Sequence, residues 1–514
     1  MNKIKRLLLL LLTFALLLGA LACFAACDKD KGKEEGTTVD NSGVTDETDN
    51  GYRDDLPSNL KFENEEIKFL IGEVSSGLGG TFAERSIAID GYAIGDAGTN
   101  TVDEQVYYRN LDVEDRLGVI ISPYALNDAV IRSALITDLR SGTSEYDVIC
   151  GYQAWDIAMA SEGLVLNFNT MSQHSADYVD ISKDYWSKNY SEALSYNNAM
   201  YWVTGDLSLR YLGGMYCTFV NLDMYNDALK DTYGDIYTLV ENKGWNLDVM
   251  ATMIEQVAVS ADDVWDETDT LGFVIENIDP LDGMSIGAGV KFSVTNEAGE
   301  ISIVLSDVKT YPAGLEFATK MYNILYNNNK GTYMAPSKHS TNSMGLFSQG
   351  NVLFTHDKIL LAEVFLTEME NYGIIPSPML NEAQGTYYAG IHDGCSLYGI
   401  YSQSSQIAAA AATLEAMASM SEAVTTAYYD EALKYRYSRD PESAKMVDLI
   451  RDSVYVDFAF AWGKELNNIH NFYRTFINKD DAPSSTSKYK NSWNAKLQKL
   501  LTALTNQSGL TTEE

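Results

Sequence analysis

Two rhythms of apolar and polar positions alternate along most of the chain. Ile67-Lys68-Phe69-Leu70-Ile71-Gly72 gathers β-branched and large apolar residues ahead of a glycine loop, Gly77-Leu78-Gly79-Gly80, and predicts a first strand. Residues 102–117 and 129–139 carry apolar side chains at helical spacing. Val119-Ile120-Ile121 and Tyr146-Asp147-Val148-Ile149-Cys150-Gly151 read as the second and third strands. Strand, helix, strand, helix, strand is the signature of a parallel α/β sheet. In such sheets ligands sit beyond the carboxyl ends of the strands, which puts Gly151, Tyr152, Gln153 and Trp155 at a mouth. A second α/β block follows, with strands predicted over 199–203, 215–221, 352–355 and 372–376. Helices are predicted over 246–260, with Asn246 as N-cap, over 313–325, and over the alanine-rich 407–420, with Ser404 and Ser405 placed to cap it. Residues 421–504 read as mainly helical, broken by Asp480-Asp481-Ala482-Pro483, and no repeat of fixed period is present.

The N-terminus breaks this pattern. Lys3, Lys5 and Arg6 precede an apolar run over 7–18 and a small-residue exit, Ala20-Leu21-Ala22-Cys23-Phe24-Ala25-Ala26-Cys27. A basic region, an apolar region and small residues define a secretory signal peptide. A cysteine after Phe24-Ala25-Ala26 resembles a bacterial lipobox, which makes Cys27 the lipidated first residue of the mature chain. Modification at Cys23, plain secretion and an uncleaved membrane anchor are the competing readings of the same residues. Residues 28–58 are polar and nearly free of large apolar side chains, so they predict a flexible tether. About 30 extended residues reach up to roughly 100 Å.

At 514 residues the chain exceeds one hydrophobic core, so two or more lobes are expected. Its net charge of −35 disfavours nucleic acid as a partner, because a phosphate backbone needs a basic face. Beyond the leader only Cys150, Cys217 and Cys395 remain, which is no disulfide framework; buried thiols are expected, with one bridge as the alternative. The five histidines, His174, His339, His356, His392 and His470, show no metal-ligand spacing, so neither metal nor cofactor is expected.

Tyr146-Asp147-Val148-Ile149 leads into Ser161-Glu162-Gly163-Leu164-Val165-Leu166-Asn167. Phe347-Ser348-Gln349-Gly350-Asn351-Val352-Leu353-Phe354, Tyr372-Gly373-Ile374-Ile375-Pro376-Ser377-Pro378 and Glu382-Ala383-Gln384 with Tyr387-Tyr388 follow. In this order these stretches resemble extracellular solute-binding proteins of family 1, the maltose-binding-protein-like receptors of carbohydrate ABC importers. The likeness runs from about 60 to 455. It implies a periplasmic-binding-protein type II fold: two α/β lobes, a cleft between them, hinge crossovers near 211–216 and 391–397, and a helical C-terminal region. The expected organisation is a signal peptide at 1–26, a tether at 27–58, lobe 1 at 59–214, lobe 2 at 215–390, and a return to lobe 1 with C-terminal helices at 391–510. The implied function is capture of a carbohydrate, an oligosaccharide, by a membrane-anchored extracytoplasmic lipoprotein. Hinge closure then delivers it to the transmembrane permease subunits of an importer.

A neutral sugar needs flat aromatic platforms and side chains that donate and accept. The loop holding Tyr152, Gln153 and Trp155 supplies that mixture just after a strand; packing of the next helix is its structural alternative. Asp206, Arg210 and Tyr211 share a second loop near the first crossover, where Asp206 and Arg210 could instead pair with each other. His356 and Asp357 follow the predicted strand at 352–355, and Asp357 could instead cap a helix. His392 and Asp393 lie at the return crossover. Trp245 reads as a staple for the helix that follows it. Many relatives carry a calcium loop ahead of the residues matching Leu271-Gly272-Phe273. Asp262-Asp263-Val264-Trp265-Asp266-Glu267-Thr268-Asp269 lacks its glycine turn and ligand alternation, so no calcium is expected there. Three rivals remain: a surface glycoside hydrolase or lyase, a peptide receptor, and a sensor subunit. No motif singles out a catalytic carboxylate pair.

Overall fold

The computed structural model describes residues 52–73, 101–429 and 441–508, apart from 263, 308, 310, 328, 329, 339, 481, 482, 484 and 485. The leader, Cys27, the tether up to residue 51 and the loop at 77–80 lie outside the described residues.

In the first lobe β1 (Glu65–Glu73) pairs in parallel with β2 (Val119–Asn127) on one side and β3 (Val148–Tyr152) on the other. Helix α1 (Thr101–Leu117) precedes β2, and α2 (Asp128–Ser141) links β2 to β3. The Asn127 side chain caps α2 by accepting from Ala129 N, and Gly142 ends it in the left-handed conformation. A fourth strand, β11 (Ser396–Ile400), runs antiparallel to β3 and gives the order β11-β3-β1-β2.

The second lobe contains β4 (Tyr216–Asn221), β5 (Leu271–Glu276), β8 (Thr332–Ala335), β9 (Val352–Lys358) and β10 (Tyr372–Ile375), ordered β10-β4-β9-β5-β8. Around it sit α3 (Leu247–Val257), α4 (Asp279–Gly287), α5 (Ala313–Leu325) and a small hairpin, β6 (Ser293–Thr295) with β7 (Ile301–Ile303). Asn246 caps α3 by accepting from Asp248 N and Val249 N. Trp245 is fully buried and donates from its indole N–H to Pro376 O at 2.9 Å.

Both sheets share one logic. Strands β1, β2 and β3 are parallel, as are β8, β5 and β9; β11 and β4 are antiparallel to the neighbours they join. These two enter their lobes from the crossovers, so each begins where a parallel strand ends: Ser396 opposite Tyr152, and Tyr216 opposite Lys358. The crossovers lie side by side. Met215 bridges Ile391, Tyr216 N donates to Gly390 O, and His392 N donates to Gly214 O, both at 2.9 Å. A third passage joins them, where Ala389 pairs in parallel with Val454. The carboxyl ends of both sheets therefore meet at one hinge, where ligands gather in open α/β sheets.

Four local outcomes differ from the sequence pattern. Residues 199–203 form no strand, only isolated bridges from Ala199 to Tyr196 and from Val203 to Tyr398; their apolar run reflects burial on all sides. Strand β9 runs three residues past its predicted end, because its pairing with β4 continues to Lys358. Ser404 accepts from Gln406 N just before α6 (Ile407–Ser419) and makes no cap on its first turn. Within the segment read as tether, Asp54 and Leu56 are buried, with Asp54 held by Arg116 at 2.6 Å and by the Ser419 hydroxyl. One charge paired deep in the lobe outweighs the polar character of its neighbours. Cys150, Cys217 and Cys395 are buried, and none of the three forms a disulfide.

Helix α6 is alanine-rich because it passes through the first lobe's core, buried from Ala409 to Ser419. Glu415 lies in its middle. It accepts from the Tyr185 hydroxyl, from Trp186 Nε1 at 2.8 Å and from Asp180 N at 3.2 Å. Burial raises its pKa to about 7, against the opposing pull of those donors. Unfolded, the group titrates near its ordinary 4.5. Below that value both states hold the proton and the contribution is complete. As pH rises towards 7, unfolding releases a proton and stability falls. At about 1.4 kcal/mol per pH unit the loss from Glu415 is at most roughly 3 kcal/mol. Denaturant unfolding is expected to show a higher midpoint at mildly acidic than at mildly alkaline pH. Glu415→Gln should flatten that difference, and an unchanged slope in the variant would count against the assignment.

The chain ends by spanning both lobes. Asp457 accepts from Phe292 N, Ser293 N and the Ser293 hydroxyl of lobe 2. The final helix, α7 (Lys490–Gln507), brings Leu504 O to the Tyr201 hydroxyl, and Ser508 O beyond it meets Asn167 Nδ2. Among the described residues no helix is long and apolar enough to cross a membrane.

Candidate functional site

The site begins where β3 ends. Gly151 has no room for a side chain: a Cβ there would lie 2.6 Å from Asp156 Cβ. That approach folds the chain back, so Tyr152 N donates to Asp156 Oδ2 at 2.8 Å and the turn Gln153–Asp156 is buried except at Trp155. Gln153 N bonds Cys395 O and Ala154 N bonds Asp393 O, which fastens this turn to the return crossover. Burial raises the Asp156 carboxyl to about 7. Trp155, at the tip, is 54% exposed, a large apolar surface left in the open. The Lys464 ammonium lies over its ring. Burial lowers that amine to about 8, opposed by Asp393, Asp128 and Asp156.

The crossover supplies His392 and Asp393. His392 Nδ1 accepts from Gly394 N at 2.9 Å, so the ring proton sits on Nε2, which donates to Asp279 Oδ2 at 3.0 Å. Asp393 keeps its carboxylate 20% exposed. Its neighbours are His392 Nε2 at 3.6 Å and His470 Nε2 at 3.9 Å, and burial lowers the pKa of His470. Among the described residues that carboxylate accepts no hydrogen bond.

Lobe 2 contributes a charge cluster behind these groups. Asp279, at the start of α4, pairs with Lys358 Nζ at 2.7 Å, and Lys358 also meets Asp357 at 3.0 Å. Burial opposes ionisation of Asp279, but Lys358 and His392 outweigh it and hold its pKa well below the usual carboxylate range. Arg474 clasps Asp282 on the next turn. Gly283 lets α4 settle on Tyr216, since a Cβ there would come within 2.4 Å of the ring.

The structure gathers Tyr152, Trp155, His392 and Asp393 around one mouth and separates the other candidates from it. Tyr152 is half-buried; its phenol is pushed well above its ordinary value by burial first, then by Asp393 and Asp279. Gln153 is buried and donates to Ala461 O at 3.4 Å, so it fastens the C-terminal segment. Arg210 is buried, reaching Ser396 Oγ at 3.5 Å and Gly72 O at 3.4 Å; it ties strand ends together and does not pair with Asp206. Asp206 instead meets Arg451 at 2.6 Å. The Tyr211 hydroxyl donates to Ser187 Oγ. His356 and Asp357 stand inside β9, fully buried, and Asp357 caps no helix. His356 stacks on Tyr216 with its Nε2 2.9 Å from the Ser377 hydroxyl, and burial lowers its pKa to about 3. Asp279, Lys358, Lys464, His470 and Arg474 escape the sequence reading. No motif marks them, since long-range folding alone brings them to the mouth.

Two lobes joined by adjacent crossovers, with the exposed groups collected at the hinge, define the fold of ABC substrate-binding proteins. Solved structures agree. An ABC substrate-binding protein of Listeria monocytogenes, solved in complex with cycloalternan, superposes with a TM-score of 0.51 at 14% identity, covering 85% of this chain and 99% of its own. The galacto-N-biose-/lacto-N-biose I-binding protein of a Bifidobacterium longum ABC transporter, solved with lacto-N-biose, gives 0.52 at 10% identity, covering 87% and 99%. A cyclo/maltodextrin-binding protein complexed with maltotetraose gives 0.51 at 11% identity, covering 88% and 100%. At such identities the likeness is one of fold. No protein-family model matches the chain, and no curated protein matches it in sequence.

Proposed function

We propose that this chain is the substrate-binding lipoprotein of an ABC importer, which captures an oligosaccharide between its lobes and hands it to a membrane permease on hinge closure. The observation that carries the reading is the exposed Trp155 indole at the carboxyl end of β3, in a turn fastened through Ala154 N to the backbone of Asp393, whose carboxylate is partly exposed. An indole face suits the C–H face of a sugar ring, and a carboxylate without a donor accepts from its hydroxyls. The solved proteins of this fold described above hold sugars, which supports the same ligand class. Lipidation at Cys27, with the tether behind it, keeps the receptor outside the membrane and within reach of its permease. Two acyl chains anchor stably where one does so only marginally.

Melting of the mature chain in the presence of oligosaccharide pools tests this. A ligand at about 100 times its Kd adds roughly 2.7 kcal/mol to stability. A rise in melting temperature with no product formed is the expected result. Hydrolysis of the pool, or a response to peptides alone, overturns the proposal. Trp155→Ala is expected to weaken binding of the responding sugar by roughly tenfold, the equivalent of about 1.4 kcal/mol. Its own unfolding midpoint should be nearly unchanged, because the ring is exposed. Calorimetric titration of wild type and variant reads the difference directly.

A further inference from the structure

Lys464 holds its place on Trp155 by little. Among the described residues its ammonium has neither a hydrogen-bond acceptor nor a carboxylate within ion-pair distance. It rests on the indole face, with Asp393, Asp128 and Asp156 within electrostatic reach. Half-burying an ammonium without an acceptor is costly, and the lowered pKa of that amine reflects the cost. Asp393 stands in the complementary position, a partly exposed carboxylate whose close neighbours among the described residues are two imidazoles and no Lys or Arg. The stronger cations of the site are already spent, Lys358 on Asp279 and Asp357, and Arg474 on Asp282. An aromatic face with carboxylates within electrostatic reach suits an ammonium group, and here the chain's own ammonium occupies that place.

We infer that the sugar captured here carries a protonated amine, as a hexosamine unit does, and that this amine displaces Lys464 from the Trp155 ring and donates to Asp393. The inference rests on the carbohydrate-receptor reading and narrows its ligand. The ligand's amine gains the acceptor that Lys464 lacks, because a mobile sugar can seat its nitrogen between ring and carboxylate while the lysine stem is fixed at its own backbone. The net charge of −35 also draws cationic solutes towards the protein.

A neutral sugar makes the opposite demand on Lys464, which would then donate to its hydroxyls. Removing the lysine therefore has opposite signs in the two cases. The test is calorimetric titration of the mature chain, at mildly acidic pH, with a panel of matched oligosaccharides: amine-bearing, N-acetylated and hydroxyl-only versions of the same backbones. The best amine-bearing glycan is expected to bind about tenfold or more tightly than its matched forms, which is about 1.4 kcal/mol. Lys464→Ala should strengthen that binding several-fold by removing a competitor, and Asp393→Asn should weaken it about tenfold. Equal or tighter binding of the acetylated or hydroxyl-only forms overturns the inference and leaves the carbohydrate receptor standing. Loss of affinity in Lys464→Ala, or no response to any amine-bearing glycan, overturns it as well. Failure of every sugar in the melting test with a response to peptides alone marks the receptor reading itself as the error.

Discussion

Lys358→Met is expected to lower the stability of the fold by about 3–5 kcal/mol, the usual consequence of removing one partner from a buried ion pair. The Lys358 side chain is 2% exposed and lies between Asp279 and Asp357. Asp357 is fully enclosed, and burial raises its carboxyl with Lys358 as the chief opposing influence. Without the ammonium, two carboxylates face each other in a site with little water, and one of them must take up a proton. Methionine fills much of the same volume, so the loss is electrostatic and not a cavity effect. Denaturant unfolding at neutral pH should show the midpoint fall, with part of it recovered in acid, where the carboxyls protonate. A second variant separates cause from coincidence. Lys358→Met combined with Asp357→Asn and Asp279→Asn removes the uncompensated charge, and it should be clearly more stable than Lys358→Met alone. If the triple variant is the less stable of the two, the cluster is not held by charge.

The position of this cluster explains what the sequence can and cannot disclose. The alternation of strands and helices is legible because inner parallel strands such as β3 and β5 are buried on both faces and helices such as α3 and α5 on one. Residues 148–152 and 313–325 therefore write their environment into local pattern. The mouth at Tyr152 to Trp155 is legible for the same reason, since it follows directly from where a parallel strand stops. The partners of that mouth are not. Lys464 meets the Trp155 ring, and Asp393 O accepts from Ala154 N, from segments about 310 and 240 residues away, and no local rhythm encodes a distance of that kind. His356 and Asp357 illustrate the converse error. Two polar residues after a short apolar run look like the start of a loop. Yet β9 lies between β4 and β5, and the ladder carries both residues into the core. Polar identity marks a surface only where no buried partner exists. Ser377 and Lys358 are such partners, and both are set by tertiary contact.

The second large effect is expected at Glu276, the last residue of β5, which is wholly buried. Its carboxylate accepts from four backbone N–H groups: Lys338 at 2.5 Å, Ser340 at 3.1 Å, Asn342 at 2.9 Å and Ser343 at 3.1 Å. Those donors form the turn before the helix Thr341–Phe347 and its first residues, whose N–H groups have no partner within the helix. Ser340 holds a left-handed φ of 66° at that turn, a conformation a serine keeps only when its surroundings fix it. Glu276 is thus both cap and clamp, supplied from a strand 62 residues earlier in the chain. Glu276→Leu leaves four donors without an acceptor, and at about 1–3 kcal/mol for each buried group the expected loss is on the order of 4 kcal/mol or more. Glu276→Gln keeps one carbonyl oxygen and turns an NH₂ towards two of the donors, so it should recover less than half of that loss. Denaturant midpoints of the two variants against wild type measure both quantities. Hydrogen exchange adds the location: the amides of Lys338, Ser340, Asn342 and Ser343 should lose protection in Glu276→Gln before those of β5 do. Equal protection in wild type and variant would show that the turn is held by its own geometry and not by the carboxylate beneath it.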